Sequence, residues 1–140
     1  EELPWPRKRK VLPERSTRML IACHAEHVLL EQRPTQGIGG GLWSLPEYEG
    51  HVSTEQACAQ LGLAPRHIQT LTPFLHVFTH YRLTITPILA CLSERTPPKE
   101  QEQDGVTLRR WVRCNTLHTL GLPAPVRKLL EGLQSDQLLS

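Results

Sequence analysis

The chain contains no apolar run near the roughly eighteen residues a bilayer-spanning helix needs, so it offers no candidate membrane span. No secretory signal is expected either. Its first residues, EELPWPRKRK, are acidic and proline-rich and then basic, where a signal would carry an apolar stretch before a cleavage site. A cytoplasmic location is therefore expected. None of the four cysteines, Cys23, Cys58, Cys91 and Cys114, stands in a C-x-x-C pair. Local spacing thus supports neither a zinc nor an iron–sulfur site, and reduced, mostly buried thiols are expected. An excess of one charge is missing too: 16 Lys and Arg face 14 Asp and Glu, for a net +2. That excludes coating nucleic acid by electrostatics alone, and any DNA contact must take its specificity from the bases. No internal repeat is present.

The basic residues that do occur are clustered. Arg7, Lys8, Arg9 and Lys10 form one group and Arg109, Arg110 and Arg113 another; such clusters attract phosphate, but taken alone they read first as a solvated linker and an ordinary strand edge. Residues 1–15, with three prolines and no apolar periodicity, read as an interdomain linker, leaving 16–140 as one folded domain. That length suffices to bury one substantial core.

Two short strands are expected at Thr17–Cys23 and Val28–Arg33, separated by the polar turn His24–His27. Pro34–Gly41 then packs four glycines into one loop, which lets backbone approach a partner closely. It lacks the lysine and Ser/Thr ending of a phosphate-binding P-loop. Either this loop faces a partner through Gly39, Gly40 and Leu42, or its glycines only let the chain turn, while Trp43 is assigned to the core. Ser53-Thr54-Glu55-Gln56 forms a capping box for a short helix that buries Ala57, Cys58 and Leu61 and stops at Gly62. Thr70–Phe78 and Leu83–Cys91 read as a hairpin. Its joining residues Thr79-His80-Tyr81-Arg82 include neither glycine nor asparagine, the usual turn formers, so this polar and aromatic tip suits contact. A charged loop (93–107), a strand (Leu108–Cys114) and a helix opened by Pro125 complete the chain. That helix repeats apolar residues at Val126, Leu129, Leu130 and Leu133. Strands and helices in this order imply an α/β (α+β) fold, a mixed sheet flanked by helices.

Four segments in order carry a specific resemblance. They are Val28–Pro34, Gly40–Pro46, Phe78-Thr79-His80, and Trp111-Val112 with Gly121–Val126. Together they resemble the C-terminal domain of the bacterial adenine DNA glycosylases of the MutY family, over about residues 12–134. The resemblance implies a Nudix-like fold related to the nucleotide hydrolase MutT. It also implies a preceding glycosylase domain that removes adenine mispaired with 8-oxoguanine in base excision repair, in a bacterial, nucleoid-associated setting. The family's iron–sulfur cluster and catalytic carboxylates belong to that other domain, so no cofactor, metal or catalytic residue is expected within this chain. The partners implied are double-stranded DNA containing 8-oxoguanine opposite adenine and the glycosylase domain itself. A monomer is expected.

The rival is an active Nudix hydrolase of oxidised nucleotides such as 8-oxo-dGTP. Such enzymes need R-E-U-x-E-E-x-G-U (U, bulky apolar), whose glutamates on one helical face hold magnesium or manganese. Aligned on Gly62-Leu63, the three carboxylate positions fall on Gln56, Ala59 and Gln60. The connection from Leu45-Pro46 is also several residues short. Glu47, Glu49 and Glu55 remain, but no two are three or four residues apart. A third reading is a protein-interaction module acting through 93–107.

Oxidation of guanine at C8 turns N7 from an acceptor into an N–H donor and adds a carbonyl. A discriminating site must accept from that new N–H, which a threonine hydroxyl or a tip carbonyl can do. Thr79 is accordingly assigned the lesion, by side chain or peptide group. Phe78 or Tyr81 would wedge against the base stack, and His80 and Arg82 would contact phosphate or sugar. Many members of the family have serine where Thr79 stands. By strand alternation Phe74, His76, Phe78 and His80 share one face.

Overall fold

The computed structural model describes residues 11–32, 42–93 and 108–135. Arg7, Lys8, Arg9, Lys10, Gly39, Gly40 and the 93–107 loop beyond Ser93 lie outside the described residues. An eight-stranded mixed sheet forms, in the chain order β1 (Glu14–His24), β2 (His27–Gln32), β3 (Trp43–Ser44), β4 (Glu47–Tyr48), β5 (Pro65–Thr70), β6 (Phe74–Val77), β7 (Arg82–Leu92) and β8 (Leu108–Arg113). Helix α1 (Thr54–Gln60) lies between β4 and β5. A 3₁₀ segment (Cys114–Thr119) and helix α2 (Ala124–Ser135) follow β8.

The spine is the parallel pair β1–β7, in register from Glu14↔Arg82 to Cys23↔Cys91. β1 begins at Glu14, three residues before its expected start, because its partner begins at Arg82 and the ladder extends as far as both allow. Every other pairing is antiparallel. β1 and β2 pair only beside their turn, at Cys23↔Val28 and His24↔His27, and then diverge. The segment from Trp43 to Tyr48 fills the fork, with β3 bonded to β2, β4 bonded to β1, and the Leu20 N–H donating to the Pro46 carbonyl at 2.8 Å.

Strand alternation gives the sheet two apolar faces. One packs Met19, Ile21, Val28, Leu30, Trp43, Ile85 and Leu89 against Val126, Leu130 and Leu133 of α2. Its fully buried leucines each contribute about 1.5–3 kcal/mol of transfer free energy. The other packs Leu20, Ala22, Leu29, Ile88, Ala90 and Leu92 against Cys58 of α1 and Leu63.

Local signals behave as their chemistry demands at α1. Ser53 Oγ accepts from the Gln56 N–H, and the Gln56 side chain accepts from the Ser53 N–H. The helix ends where Gly62 takes φ +73°, with Leu63 N–H donating to the Cys58 carbonyl and Gly62 N–H to that of Ala59. Leu61 is half-buried, not buried as expected, and Leu63 fills the core position in its place. In α2, Pro125 stands second, because the helix starts at Ala124.

The expected single strand Thr70–Phe78 is interrupted. β5 pairs with β7 from Pro65↔Leu92 to Thr70↔Ile88, and β6 resumes at Phe74↔Ile85. Three residues, 71–73, therefore face two, 86–87. Pro73 and Pro87 have no N–H to continue the ladder, and Leu71 N–H donates to the Pro87 carbonyl instead. The extra residue reverses which side chains face inward, placing Phe74, His76 and Phe78 toward the α2 side and exposing Leu75 and Val77.

The β1–β2 turn is strained. Its central residues Ala25 and Glu26 adopt φ of 49° and 64°, values that a two-residue hairpin turn requires and that asparagine and glycine supply more readily. Replacing Ala25 with Asn and Glu26 with Gly should raise stability by about 1 kcal/mol, read as a higher urea midpoint at unchanged slope.

Candidate nucleic-acid interface

β6 and β7 are joined by four residues, Phe78–Tyr81, of which the central Thr79 and His80 are exposed. Phe78 and Tyr81 form the pair that closes them, with Phe78 N–H donating to the Tyr81 carbonyl at 2.8 Å. Their rings lie on the same side of the sheet and stack with centroids 4.8 Å apart. His76 meets the other side of Phe78 edge-on at 4.5 Å, and the Arg15 guanidinium sits 4.8 Å over Tyr81. A ladder of four side chains, Arg15–Tyr81–Phe78–His76, thus braces the tip from β1, β6 and the connector itself. Each contact contributes about 0.5–1.5 kcal/mol, so the tip conformation rests on the three together.

This explains how a turn without glycine or asparagine holds its shape: the cross-strand ring stack replaces turn chemistry. It also divides the labour among the expected site residues. Phe78 and Tyr81 are half-buried in their mutual stack, with Phe78 against His76 and Tyr81 against Arg15. Thr79, His80 and Arg82 are exposed. Arg15 was not among the sequence candidates. Its signal is visible only once β1 is known to lie parallel to β7, which brings residue 15 beside residue 81.

Leu42 lies elsewhere, at the far side of the fork. It is half-buried, and its Cδ2 comes within 3.0 Å of where a Cβ on Gly121 would stand. The neighbouring Trp43 N–H donates to the Gly121 carbonyl, and Trp43 is core, 8% exposed, as expected. Arg110 covers the Trp43 ring at 5.3 Å. Arg109 donates to Glu31 at 3.2 Å, while Arg113 is exposed. The second basic cluster is therefore partly committed to the sheet.

The fork itself leaves a cleft of about 380 Å³ between α1 and the sheet, lined by Leu20, Glu31, Pro46–Tyr48, Ala57, Gln60, Leu61 and Arg109. It contains two carboxylates. Glu31 is held by Arg109, and Glu47 accepts from the Thr17 hydroxyl at 3.0 Å. α1 presents Gln60 here, Gln56 is spent on the capping box, and Ala59 is exposed. Among the described residues, no group of three His, Cys, Asp or Glu side chains is placed to hold a metal ion. The four cysteines are spread over both cores, Cys58 in one and Cys23, Cys91 and Cys114 in the other, so their donors do not fit an iron–sulfur cluster. Among the described residues no helix is long and apolar enough to cross a membrane.

The profile of the NUDIX domain matches residues 17–132. The chain belongs to the Nudix family. Its Nudix fold is shared with the MutT NUDIX hydrolase of Burkholderia pseudomallei (TM-score 0.64, 19% identity, 84% of this chain and 96% of that one). It is likewise shared with NrtR of Shewanella oneidensis (0.66, 19%, 87% and 63%). In sequence it is similar to adenine DNA glycosylases. That of Buchnera aphidicola subsp. Schizaphis graminum is 25% identical over 130 residues, covering 91% of this chain and 36% of that protein. The human one is 27% identical over 119 residues, covering 79% and 21%. The Nudix chain thus spans well under half the length of these curated relatives.

Phe78→Ala removes the centre of the ladder. It should cost about 1–2 kcal/mol in urea unfolding and speed exchange of the residue 78 amide, which closes the tip, while α1 amides keep their protection.

Proposed function

We propose that this Nudix domain is the lesion-recognition module of an adenine DNA glycosylase, reading 8-oxoguanine in double-stranded DNA opposite the adenine that a separate glycosylase domain removes. The observation that carries the reading is the exposed Thr79-His80 tip, held at the end of the sheet by a closed aromatic ladder. Similarity to adenine DNA glycosylases over nine-tenths of the chain supports it. A braced tip suits readout because its polar groups are oriented before DNA arrives, which reduces the ordering cost of binding. Thr79 Oγ1, or a tip carbonyl, accepts from the N7–H that only the oxidised base carries; His80 and Arg82 contact phosphate or sugar. Phe78 and Tyr81 act chiefly as the brace, and either serves as a wedge only by leaving the stack. Gly39, Gly40, Leu42 and the Arg7–Lys10 cluster remain part of the proposed DNA-facing surface.

The domain is proposed to be non-catalytic. Gln56, Ala59 and Gln60 offer amides and a methyl group where a divalent cation needs anionic oxygen, and the cleft carboxylates already have partners. The iron–sulfur cluster that the resemblance implies is assigned to the glycosylase domain. A cytoplasmic monomer is the working assembly.

Thr79→Ala should weaken the preference for 8-oxoguanine over guanine by up to about 1–3 kcal/mol, in competition binding between otherwise identical duplexes. An unchanged ratio removes Thr79 from the site. Incubated with manganese and 8-oxo-dGTP, the chain should release neither pyrophosphate nor phosphate; metal-dependent release would install the hydrolase reading instead.

A further inference from the structure

At the end of β7 opposite the tip, the register sets three reactive side chains in a row across neighbouring strands. Cys23 of β1 is the partner of Cys91 of β7, and Cys91 is the partner of His67 of β5. Residues paired across a ladder point to the same face with Cβ atoms about 5 Å apart. The two sulfurs are 3.8 Å apart, in van der Waals contact. On the opposite face of the same two strands, the His24 ring bonds the Leu92 carbonyl through Nδ1 at 2.8 Å. That bond fixes β1 against β7 one residue beyond the cysteines, so the sulfurs are held together from behind.

Exposure distinguishes the pair. Cys23 is 3% exposed, while Cys91 is half-buried beside the exposed His67. A row of this kind does not converge on one point and is no metal cage, in keeping with the described residues overall. It does supply the elements of two-step thiol oxidation: a half-buried thiol, a histidine at the facing ladder position and a resolving thiol in contact. The other two thiols are set apart from this chemistry. Burial, with Glu55 adding to it, pushes the Cys58 thiol up from its ordinary value, and burial with Glu26 does the same for Cys114.

We propose that Cys91 and Cys23 form a peroxide-oxidisable dithiol, with His67 as the positioning base, that closes reversibly into a disulfide between the two central parallel strands. His67 accepts the Cys91 proton, and the thiolate attacks one oxygen of hydrogen peroxide. The O–O bond breaks, giving a sulfenic acid at Cys91 and, with the proton returned, one water. The Cys23 sulfur then attacks the Cys91 sulfur, the S–O bond breaks, and a second water leaves. Two thiols lose two electrons in total and the peroxide gains them. The site is independent of the lesion reading. Nine residues of extended β7 separate Cys91 from Arg82, about 30 Å of strand, so the tip is outside its direct reach.

The test treats the 140-residue chain with hydrogen peroxide, quenches it, unfolds it, counts thiols and maps peptides. Two of the four thiols should disappear together, joined as Cys23–Cys91 within one chain, and dithiothreitol should restore both. Cys58→Ser and Cys114→Ser should retain the crosslink, Cys91→Ser should abolish it, and His67→Gln should slow its appearance several-fold at constant end product. A sulfinic acid at Cys91 with Cys23 still a thiol overturns the proposal. So does a crosslink through Cys58 or Cys114, or survival of all four thiols at a dose that oxidises free cysteine. An unchanged rate in His67→Gln removes the base from the mechanism. Mapping of the unsubstituted chain decides the disulfide even if a serine variant fails to fold.

Discussion

The parallel pairing of β1 with β7 joins strands whose partnered residues are 68 positions apart in sequence. Both cores and both ends of the molecule depend on it. Such a contact closes a long loop, and the ordering cost must be recovered by burial on both faces of the two strands. The residues are matched to that requirement: Met19 through Cys23 are buried in succession, as are Pro87 through Ala90 opposite them. Continuous burial, in place of alternation, is the mark of a strand covered on both sides. At one end of this pair the chain presents Arg15 and the Thr79-His80 tip. At the other it holds two sulfurs in contact.

Legibility followed the range of the forces involved. Ser53, Gln56 and Gly62 announce α1 because caps are satisfied within a few residues. The apolar repeat through Val126 and Leu133 announces α2 for the same reason. Alternation in 74–78 correctly grouped Phe74, His76 and Phe78. The break at 71–73 was hidden, since Pro73 signals a ladder defect only when Pro87 is known to face it. The helical period points to Leu61 where Leu63 fills the core, because the Schellman turn carries the chain one step beyond that period. The fork filled by Trp43–Tyr48 was equally invisible: nothing in two-residue strands marks them as strands.

The candidate site was legible in part. A polar tip lacking glycine and asparagine stood out as chemically unusual, and Thr79, His80 and Arg82 are exposed there. What the residues alone could not reveal is that the rings flanking the tip hold each other. A free aromatic at a loop tip and one locked in a cross-strand stack have the same sequence, and only the register separates them. The Glu31–Arg109 contact, 78 positions apart, was hidden likewise. It matters because a carboxylate that answers a guanidinium in a confined cleft is a poorer ligand for a divalent cation than a solvated one.

The uneven opposition of 71–73 to 86–87 has one consequence for how this surface tolerates change. Whether the tip is flanked by rings or by Leu75 and Val77 is decided by parity, the odd or even number of residues in a short connector. Substitutions within that connector leave the parity intact, whereas loss or gain of one residue inverts it. Three connector residues thereby determine which chemistry faces outward.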